Sequence, residues 1–369
     1  MDKEGISKYH RSIFSYSKLK RGGFAMETKL AAQTLSVGVI GTGGMGTRHA
    51  VNLHRYIGGA RVAAVCDLDE RRAAQAAGQC AAARVMSDPI GCLIEDESVE
   101  AVLIASPDDT HADLTLACLK AGKPVLCEKP LATTVEDAEK VLAAEVALGH
   151  KLVSVGFMRR FDPQHLAVKC SAASGEIGRP LLFKGVHRNA SVAFGISGAT
   201  ILTNSAGHDI DSARWLLGEE VQDVLVRGLR SRPELHPDTQ DLLVIEMTMT
   251  NNCMALAEVY VNDDYGYEVS AELVCQRGTA IAEQPDMALV RAKAKRGYPV
   301  PSDWLSRFQD AYIAELLDWV ASIQTGQPFH GASAWDGYVT MLVTAACIQS
   351  LHSGEVVPVK LPEKPALYK

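Results

Sequence analysis

The glycine-rich stretch Val37–Gly46 constrains the fold of this chain more than any other segment. It reads VGVIGTGGMG, and it overlaps an apolar run, Leu35–Ile40, whose β-branched residues predict a buried strand. Gly41 allows a tight turn, Gly43 lets a phosphate group approach the backbone, and Gly46 lets the following helix pack closely on the strand. The first turn of that helix supplies unpaired N–H groups and the positive end of a dipole. The stretch therefore predicts an anion-binding turn between a strand and a helix.

A second predicted strand, Arg61–Cys66, strengthens this interpretation. It ends in Asp67, which follows Gly46 by 21 residues. A carboxylate at this distance from a glycine loop accepts hydrogen bonds from the ribose hydroxyls of a dinucleotide. An ordinary turn with an aspartate that caps a helix is the alternative. The order of strand, glycine loop, helix, strand and acid favours a dinucleotide site.

Composition limits the class of protein. The chain has 369 residues, of which 47% are hydrophobic and 22% charged, which is typical of globular proteins and long enough for two domains. A net charge of −7 argues against nucleic acid as the main partner, and no apolar run is long enough to cross a membrane. Nine cysteines without a C-x-x-C pair indicate reduced thiols and a cytoplasmic protein. We predict no metal site, because Asp109 and His111 have no third ligand at a suitable spacing.

The pattern of apolar segments changes near residue 157. Before it, buried strands alternate with helices, which predicts a parallel sheet covered on both faces, at 35–157. After it, at 158–369, strands follow one another with few helices between them, the α+β pattern of an open, mostly antiparallel sheet. Residues 1–34 are basic and lack the apolar core of a secretory signal, so we predict a flexible extension.

Loops that follow parallel strands gather at the carboxyl edge of the sheet, where ligands bind. We therefore expect five segments to line one crevice: Gly41–Gly46, Asp67, Ser106–His111, Glu128–Leu131 and Phe157–Phe161.

Lys129 and His208 are the residues in these patterns best suited to catalysis. Lys129, in Glu128-Lys129-Pro130, could stabilise an alkoxide as hydride leaves, whereas a surface turn lysine is the alternative. His208 lies near the start of a predicted helix, Gly207–Leu217, where the neutral imidazole is favoured and can accept a proton. A structural histidine is the alternative there.

Several segments together resemble a known family. They are GTGGMG, ASPDDTH, CEKP, VGFMRRFD and GHDID, in this order along the chain. The chain resembles the glucose-fructose oxidoreductase, inositol dehydrogenase and MocA family, and within it is most similar to the inositol 2-dehydrogenases. The resemblance implies a Rossmann domain followed by a second domain, which binds substrate and forms the contacts of a homo-oligomer (a dimer or tetramer). It also implies NAD(P)-linked oxidation of a ring hydroxyl in a polyol or sugar.

The resemblance also implies roles for individual residues. Lys129 matches the lysine that polarises the hydroxyl and His208 the general base, and Asp67 favours NAD over NADP, although Arg71 and Arg72 lie close by in sequence. The implied cofactor-binding residues are Gly41, Gly43, Met45, Gly46, Asp67, Ser106, Pro107, His111, Glu128 and Lys129. The implied substrate-binding residues are Arg159, His187, Asn189, Asp211, Tyr267 and Tyr312.

One position departs from the family pattern. The inositol enzymes carry an aspartate four residues before the catalytic histidine, and this chain has Asn204 there. A carboxylate would make the imidazole a stronger base, whereas an amide both donates and accepts hydrogen bonds. Asn204 could therefore indicate a substrate with a carbonyl, lactone or carboxylate. A sugar-acid dehydrogenase, an oxidoisomerase that recycles its NAD, and a non-catalytic sugar-sensing regulator remain as alternatives to a polyol dehydrogenase.

Overall fold

Residues 34–81, 83–192, 195–283 and 289–369 are described by a computed structural model. They divide into two units. The parallel-sheet unit holds residues 34–161, Asp310–Met341 and Pro362–Lys369, and the mixed-sheet unit holds Asp162–Gln309 and Leu342–Leu361. The predicted extension at 1–34 lies, except for Thr34, outside the described residues.

The parallel-sheet unit is built on seven strands in the order β15-β6-β5-β4-β1-β2-β3, all parallel except β15. The strands are β1 (Leu35–Ile40), β2 (Ala60–Cys66), β3 (Arg84–Met86), β4 (Ala101–Ile104), β5 (Val125–Glu128), β6 (Val153–Gly156) and β15 (Ala332–Ser333). Its helices are α1 (Gly44–Tyr56), α2 (Glu70–Gly78), α3 (His111–Lys120) and α4 (Val135–Leu148). Every residue of β1, β4 and β5 is buried, as expected for central parallel strands. Trp319, which is also buried, joins the apolar core around β1.

The mixed-sheet unit contains a seven-stranded sheet in the order β12-β11-β7-β10-β9-β8-β16. Its strands are β7 (Pro180–Arg188), β8 (Val221–Leu229), β9 (Leu242–Met249), β10 (Cys253–Tyr260), β11 (Glu268–Cys275), β12 (Gly278–Ala282) and β16 (Val357–Pro358). The predicted antiparallel character is confirmed for every pair except β7 and β10, which are parallel. A separate hairpin pairs β13 (Val290–Ala292) with β14 (Lys295–Gly297).

Helices cover one face of the mixed sheet. Helix α5 (Pro163–Ala173) packs on β11 and β12, and α6 (Gly207–Leu217) packs on β7 and β10. Along the central strands, buried residues alternate with more exposed ones, so the second face of the sheet carries the exposed set. Two long helices, α7 (Trp304–Thr325) and α8 (Ala334–Ser353), contribute residues to both units.

Candidate active site

The glycine loop has the geometry that its sequence predicts. Gly41 has a φ of +84°, and a Cβ atom there would lie 2.4 Å from the Ser106 backbone nitrogen. A Cβ at Gly46 would lie 1.7 Å from the carbonyl oxygen of Gly41, so only glycine allows α1 to approach β1 this closely. A Cβ at Gly43 would meet no atom within 4 Å. The loop is thus tightly packed at Gly41 and Gly46 and open at Gly43, where α1 begins without a side-chain cap.

Asp67 connects the glycine loop to the end of β2. Its carboxylate accepts hydrogen bonds from the backbone N–H and the hydroxyl of Thr42, at 2.6 and 2.9 Å. It also accepts from the guanidinium of Arg72 at 2.6 and 3.1 Å. Burial opposes ionisation, but the hydrogen bonds from Arg72, Asp69 and Thr42 outweigh it and hold the pKa of Asp67 well below its usual range. The carboxylate is therefore ionised and paired with a cation on the first turn of α2.

The loop after β4 lies beside the glycine loop. Its Ser106 hydroxyl is hydrogen-bonded to the hydroxyl of Thr110 at 2.6 Å, and the Pro107 carbonyl oxygen accepts from the Thr110 N–H at 2.9 Å. These bonds form a turn that leads directly into α3, whose first residue is His111.

Glu128 and Lys129 lie at the end of β5, with a cis peptide bond between Lys129 and Pro130. The carboxylate of Glu128 contacts Nε2 of His49 at 2.7 Å and accepts from the Lys129 backbone N–H at 3.2 Å. Burial alone would raise the pKa of Glu128, but the hydrogen bond with His49 and the charge of Lys129 outweigh it and lower the pKa. Tyr312 packs edge to face on His49, with ring centroids 5.6 Å apart. A buried pair on α1 and β5 thus contacts the backbone of Lys129 through Glu128.

Arg159 and Arg160 lie in the short helical turn Met158–Phe161 that follows β6, and both are buried. Arg160 forms an ion pair with Asp336 at 3.1 Å and donates to the Gly331 carbonyl oxygen.

His208 differs from its prediction in one respect. A helical turn at Gly198–Ile201 continues through a wide turn, Leu202–Ala206, into α6 without a break in helical backbone angles. His208 is therefore preceded by helical turns, and the predicted free helix N-terminus at this residue is wrong. Wide turns of this kind are frequent at functional sites. Within the turn, the Asn204 side-chain amide donates to the Thr200 carbonyl oxygen at 3.0 Å, a bond that a carboxylate could not make.

Next to His208, Asp209 joins α6 to β7. Asp209 is fully buried, and its Oδ2 lies 2.9 Å from Nδ1 of His187. On the other side of that imidazole, Nε2 lies 3.4 Å from the Tyr267 hydroxyl, with the two rings in edge contact. Asp209, His187 and Tyr267 form a continuous polar chain inside the mixed-sheet unit. Asp211 is buried two residues further along α6. Asn189 follows β7, and its buried Nδ2 has no hydrogen-bond partner among the described residues.

The predicted site residues are thus grouped within each unit. The parallel-sheet unit holds the glycine loop, Asp67, Ser106, Pro107, His111, Glu128, Lys129, Arg159 and Tyr312, and the mixed-sheet unit holds His187, Asn189, Asn204, His208, Asp211 and Tyr267. Sequence reasoning missed His49, Asp209 and the pairing of Arg72 with Asp67. A histidine among the apolar positions of α1 and a second acid directly after His208 were the available signals.

The described ranges contain neither a membrane-spanning helix nor a metal-binding cluster. No helix there combines the length and apolarity needed to cross a membrane. Within the same ranges, no group of three histidine, cysteine or acidic residues is arranged to hold a metal ion.

Comparisons with known proteins agree with this architecture. Residues 35–157 match a family profile described as an oxidoreductase family with an NAD-binding Rossmann fold, and residues 173–361 match the C-terminal alpha/beta domain of the same family. The chain is 48% identical to an inositol 2-dehydrogenase of Rubrobacter xylanophilus, over 92% of this chain and 97% of that protein. It is 46% identical to inositol 2-dehydrogenase 2 of Saccharopolyspora erythraea, over 91% of this chain and 98% of the relative.

A solved structure extends the comparison to three dimensions. The structure of myo-inositol dehydrogenase from Lactobacillus casei, in complex with NAD(H) and myo-inositol, superposes with a TM-score of 0.86 at 31% identity, covering 91% of this chain and all of that one. The predicted fold class, a Rossmann domain followed by an α/β domain on an open sheet, is confirmed. The chain belongs to the GFO/IDH/MocA oxidoreductase family, the family that its sequence motifs resemble.

Proposed function

We propose that this protein is an NAD-dependent dehydrogenase that oxidises a ring hydroxyl of an inositol-type cyclic polyol. The identity of 48% to an inositol 2-dehydrogenase, over nearly the whole of both chains, carries this proposal. The structural similarity to an enzyme that binds myo-inositol supports the same substrate class.

The glycine loop suits a dinucleotide, because a Cβ at Gly43 would meet nothing within 4 Å and the first turn of α1 has no side-chain cap. In this proposal the backbone of 41–46, Met45 included, holds the pyrophosphate, and Asp67 accepts from the ribose hydroxyls. Ser106, Pro107, His111 and Glu128 border the site from the neighbouring loops. Bound NAD supplies the hydride acceptor. NAD is the proposed cofactor in preference to NADP, because the ionised Asp67 repels a 2′-phosphate.

Two residues handle the substrate hydroxyl in the proposed mechanism. The ammonium group of Lys129 donates to the hydroxyl oxygen and stabilises the negative charge that develops there. The imidazole of His208 accepts the hydroxyl proton as general base. His49 and Glu128, which are both buried, fix the start of its loop through the bond to the Lys129 N–H.

The polar residues around these groups suit hydroxyl groups better than a carboxylate. Arg160 already pairs with Asp336, and Arg188 pairs with Glu258 at 2.7 Å and Glu268 at 3.1 Å. Arg160 is therefore already neutralised by a carboxylate. Arg188 lies with its two acidic partners on the open face of the mixed sheet, because it alternates in register with His187 and shares the side of Lys184. The substrate hydroxyls would be bound by Arg159, His187, Asn189, Asp211, Tyr267 and Tyr312.

The test is a substrate panel in which NADH formation is followed by its absorbance. The panel contains myo-inositol, scyllo-inositol, glucose, a sugar acid and a sugar lactone, each with NAD and with NADP. We expect the highest kcat/KM for an inositol with NAD. The absence of turnover on every substrate, together with tight NAD binding, would contradict the proposal and favour a sugar-sensing regulator.

Asn204 supports a second candidate, an enzyme for a sugar acid or lactone, including an oxidoisomerase with recycled NAD. Its side-chain amide donates within the wide turn, as no carboxylate could, so this segment differs electrostatically from one with the family aspartate. In the same panel, a kcat/KM for a sugar acid or lactone above that for every inositol would establish this candidate. Cofactor that stays bound through purification would point to recycling.

Replacement of Lys129 tests the mechanism. We expect Lys129→Ala to lower kcat by about 10²-fold or more, because the developing alkoxide loses its charge-assisted donor. NAD binding, measured by calorimetry, should change little. Lys140→Ala is the control, because Lys140 is exposed on α4, where its ammonium group pairs with Asp137. Near-normal turnover in Lys129→Ala would remove the lysine from the mechanism.

Three further features belong to this proposal. We assign dinucleotide binding to residues 35–157 and substrate binding and self-association to 158–369. We also propose that the protein is a cytoplasmic homo-oligomer, a dimer or tetramer, with no role for nucleic acid or membranes.

A further inference from the structure

His111 is a buried titratable side chain that contacts the residue after Lys129 and, beyond bordering the proposed cofactor site, has no step assigned to it above. It is the first residue of α3 and only 1% exposed. Its Nδ1 lies 2.6 Å from the carbonyl oxygen of Pro130, and its Nε2 lies 3.0 Å from the carbonyl oxygen of Ser106. The ring therefore bridges the loop after β5 and the loop after β4.

The two acceptors determine the protonation state of the ring. A carbonyl oxygen accepts hydrogen bonds and never donates one, so each ring nitrogen must carry a proton to bond its partner. A neutral imidazole has one proton only and would direct a lone pair at one of the two oxygens. In a buried site, the loss of such a bond is costly. Only the doubly protonated, positively charged form satisfies both contacts at once.

The groups that face the ring agree with this assignment. They are Asp108, on the turn before α3, and Cys127, on β5. Burial alone would lower the pKa of His111, but Cys127, the Pro130 carbonyl and Asp108 outweigh it and raise the pKa to about 10. The direction of this shift agrees with the form that satisfies both carbonyl oxygens.

The bridge lies where three loops of the unit meet. Pro130 directly follows Lys129, and Ser106 lies so close to Gly41 that a Cβ on Gly41 would clash with the Ser106 nitrogen. A link from Pro130 to Ser106 therefore ties the loop of Lys129 to the loop that supports the glycine turn.

We propose that His111 is a permanently charged positioning residue. It fixes the position of the Lys129 loop relative to the glycine loop. It contacts neither substrate nor hydride in this scheme, and its contribution is to keep the Lys129 ammonium where the hydroxyl is polarised. This inference rests on the proposed function for its effect on turnover. Its assignment of charge and geometry stands independently of any substrate.

The direct test is NMR of the wild-type protein labelled with ¹⁵N at histidine side chains. We expect the His111 ring, assigned through its proton contacts with Cys127, to carry two N–H groups and to keep both between about pH 6 and 9. A neutral tautomer anywhere in that range would overturn the proposal. The measurement requires no variant and no turnover.

The kinetic test compares His111→Gln with His150→Gln. The glutamine side chain offers one donor group in place of two opposed N–H groups, so we expect His111→Gln to lower kcat about 10- to 100-fold through misplacement of Lys129. The melting temperature should fall because one buried bond is lost. NAD affinity should change little, which separates misplacement of Lys129 from a general loss of folding. His150 is exposed at the end of α4, and its replacement should leave kcat unchanged.

The outcomes separate the two proposals. A wild-type kcat in folded His111→Gln would overturn the positioning role. If that variant does not fold, the wild-type spectrum decides the charge state alone. Failure of the wild-type protein to oxidise any polyol would contradict the proposed function, whereas the NMR result would still test His111.

Discussion

Asp67 forms an ion pair with Arg72 at the position where a Rossmann fold discriminates between cofactors. The carboxylate is nearly buried, while half of the Arg72 side chain is exposed. A carboxylate here accepts from ribose hydroxyls and repels a phosphate, whereas an arginine at the same edge favours a phosphate. The proposed preference for NAD therefore depends on the negative charge of Asp67 being retained beside Arg72.

Replacing Asp67 by asparagine should shift this preference. We expect kcat/KM with NAD to fall about 10- to 100-fold, the equivalent of one hydrogen bond to a charged group. Turnover with NADP should rise, because Arg72 then lacks its carboxylate partner and can bind the 2′-phosphate. Both values follow from initial rates of NADH and NADPH formation.

Two arginine variants serve as the comparison for this experiment. Arg72→Ala, added to Asp67→Asn, should abolish the gain with NADP, and Arg71→Ala, at the exposed neighbouring position, should not. A preference for NAD that survives in Asp67→Asn would show that other residues set it.

Between secondary-structure elements, the buried pair of His187 and Asp209 joins β7 to α6. The imidazole and the carboxylate are both almost completely excluded from solvent. We expect Asp209→Asn to lower the free energy of unfolding by about 1–3 kcal/mol, because a buried hydrogen-bond partner loses its charge. Urea denaturation monitored by circular dichroism provides the measurement.

A double-mutant cycle with His187→Ala supplies the control for this prediction. If the two side chains act on stability through each other, the effect of Asp209→Asn should largely disappear in the His187→Ala background, with a coupling energy of about 0.5–3 kcal/mol. Additive effects of the two substitutions would show that the pair does not couple α6 to β7.

The helices and strands were largely predictable, because the signals for each of them lie within a short stretch of sequence. Each strand of the parallel sheet is an apolar segment bounded by turn residues, and the GTGGMG loop permits few backbone conformations. Pairings between distant segments were not predictable. The pair of His49 and Glu128 spans 79 residues, and the parallel pairing of β7 with β10 requires α6, β8 and β9 to lie between them in sequence. No periodicity or motif in a single sequence contains that information.

The same distinction applies to the candidate site. The motif segments identified Lys129 and His208 as candidate catalytic residues, because each lies in a short pattern with a chemical rationale. The charge of His111 could not be predicted, since it depends on two carbonyl oxygens, one of which comes from a residue 19 positions away. The continuation of α6 towards Gly198 was missed, although Ser197 is a favourable N-cap and forms a capping box with Thr200.

At the scale of the whole molecule, we propose that the open face of the mixed sheet is the surface through which the protein self-associates. Its apolar residues are exposed in the single chain, including Met254 at 41%, Val244 at 40% and Ile281 at 56%. Charged residues on the same face form cross-strand pairs, such as Lys184 with Glu272 at 3.0 Å. A surface with exposed apolar residues and internally paired charges can be buried without leaving unpaired charges.

Met254→Glu tests this surface, because it adds a carboxylate to the exposed side of β10, the central strand of the sheet. In a symmetric assembly the substitution is present in every copy, so we expect the dissociation constant of the oligomer to rise at least about tenfold. Sedimentation velocity over a range of protein concentrations measures this. Val146→Glu is the matched control, because Val146 is 37% exposed on α4, an element of the parallel-sheet unit, and its substitution should leave the assembly unchanged. Wild-type protein that sediments as a monomer, or a Met254→Glu variant that assembles as the wild type does, would exclude this face as the interface. Retention of turnover by monomeric Met254→Glu would show, in addition, that the proposed site functions within one chain.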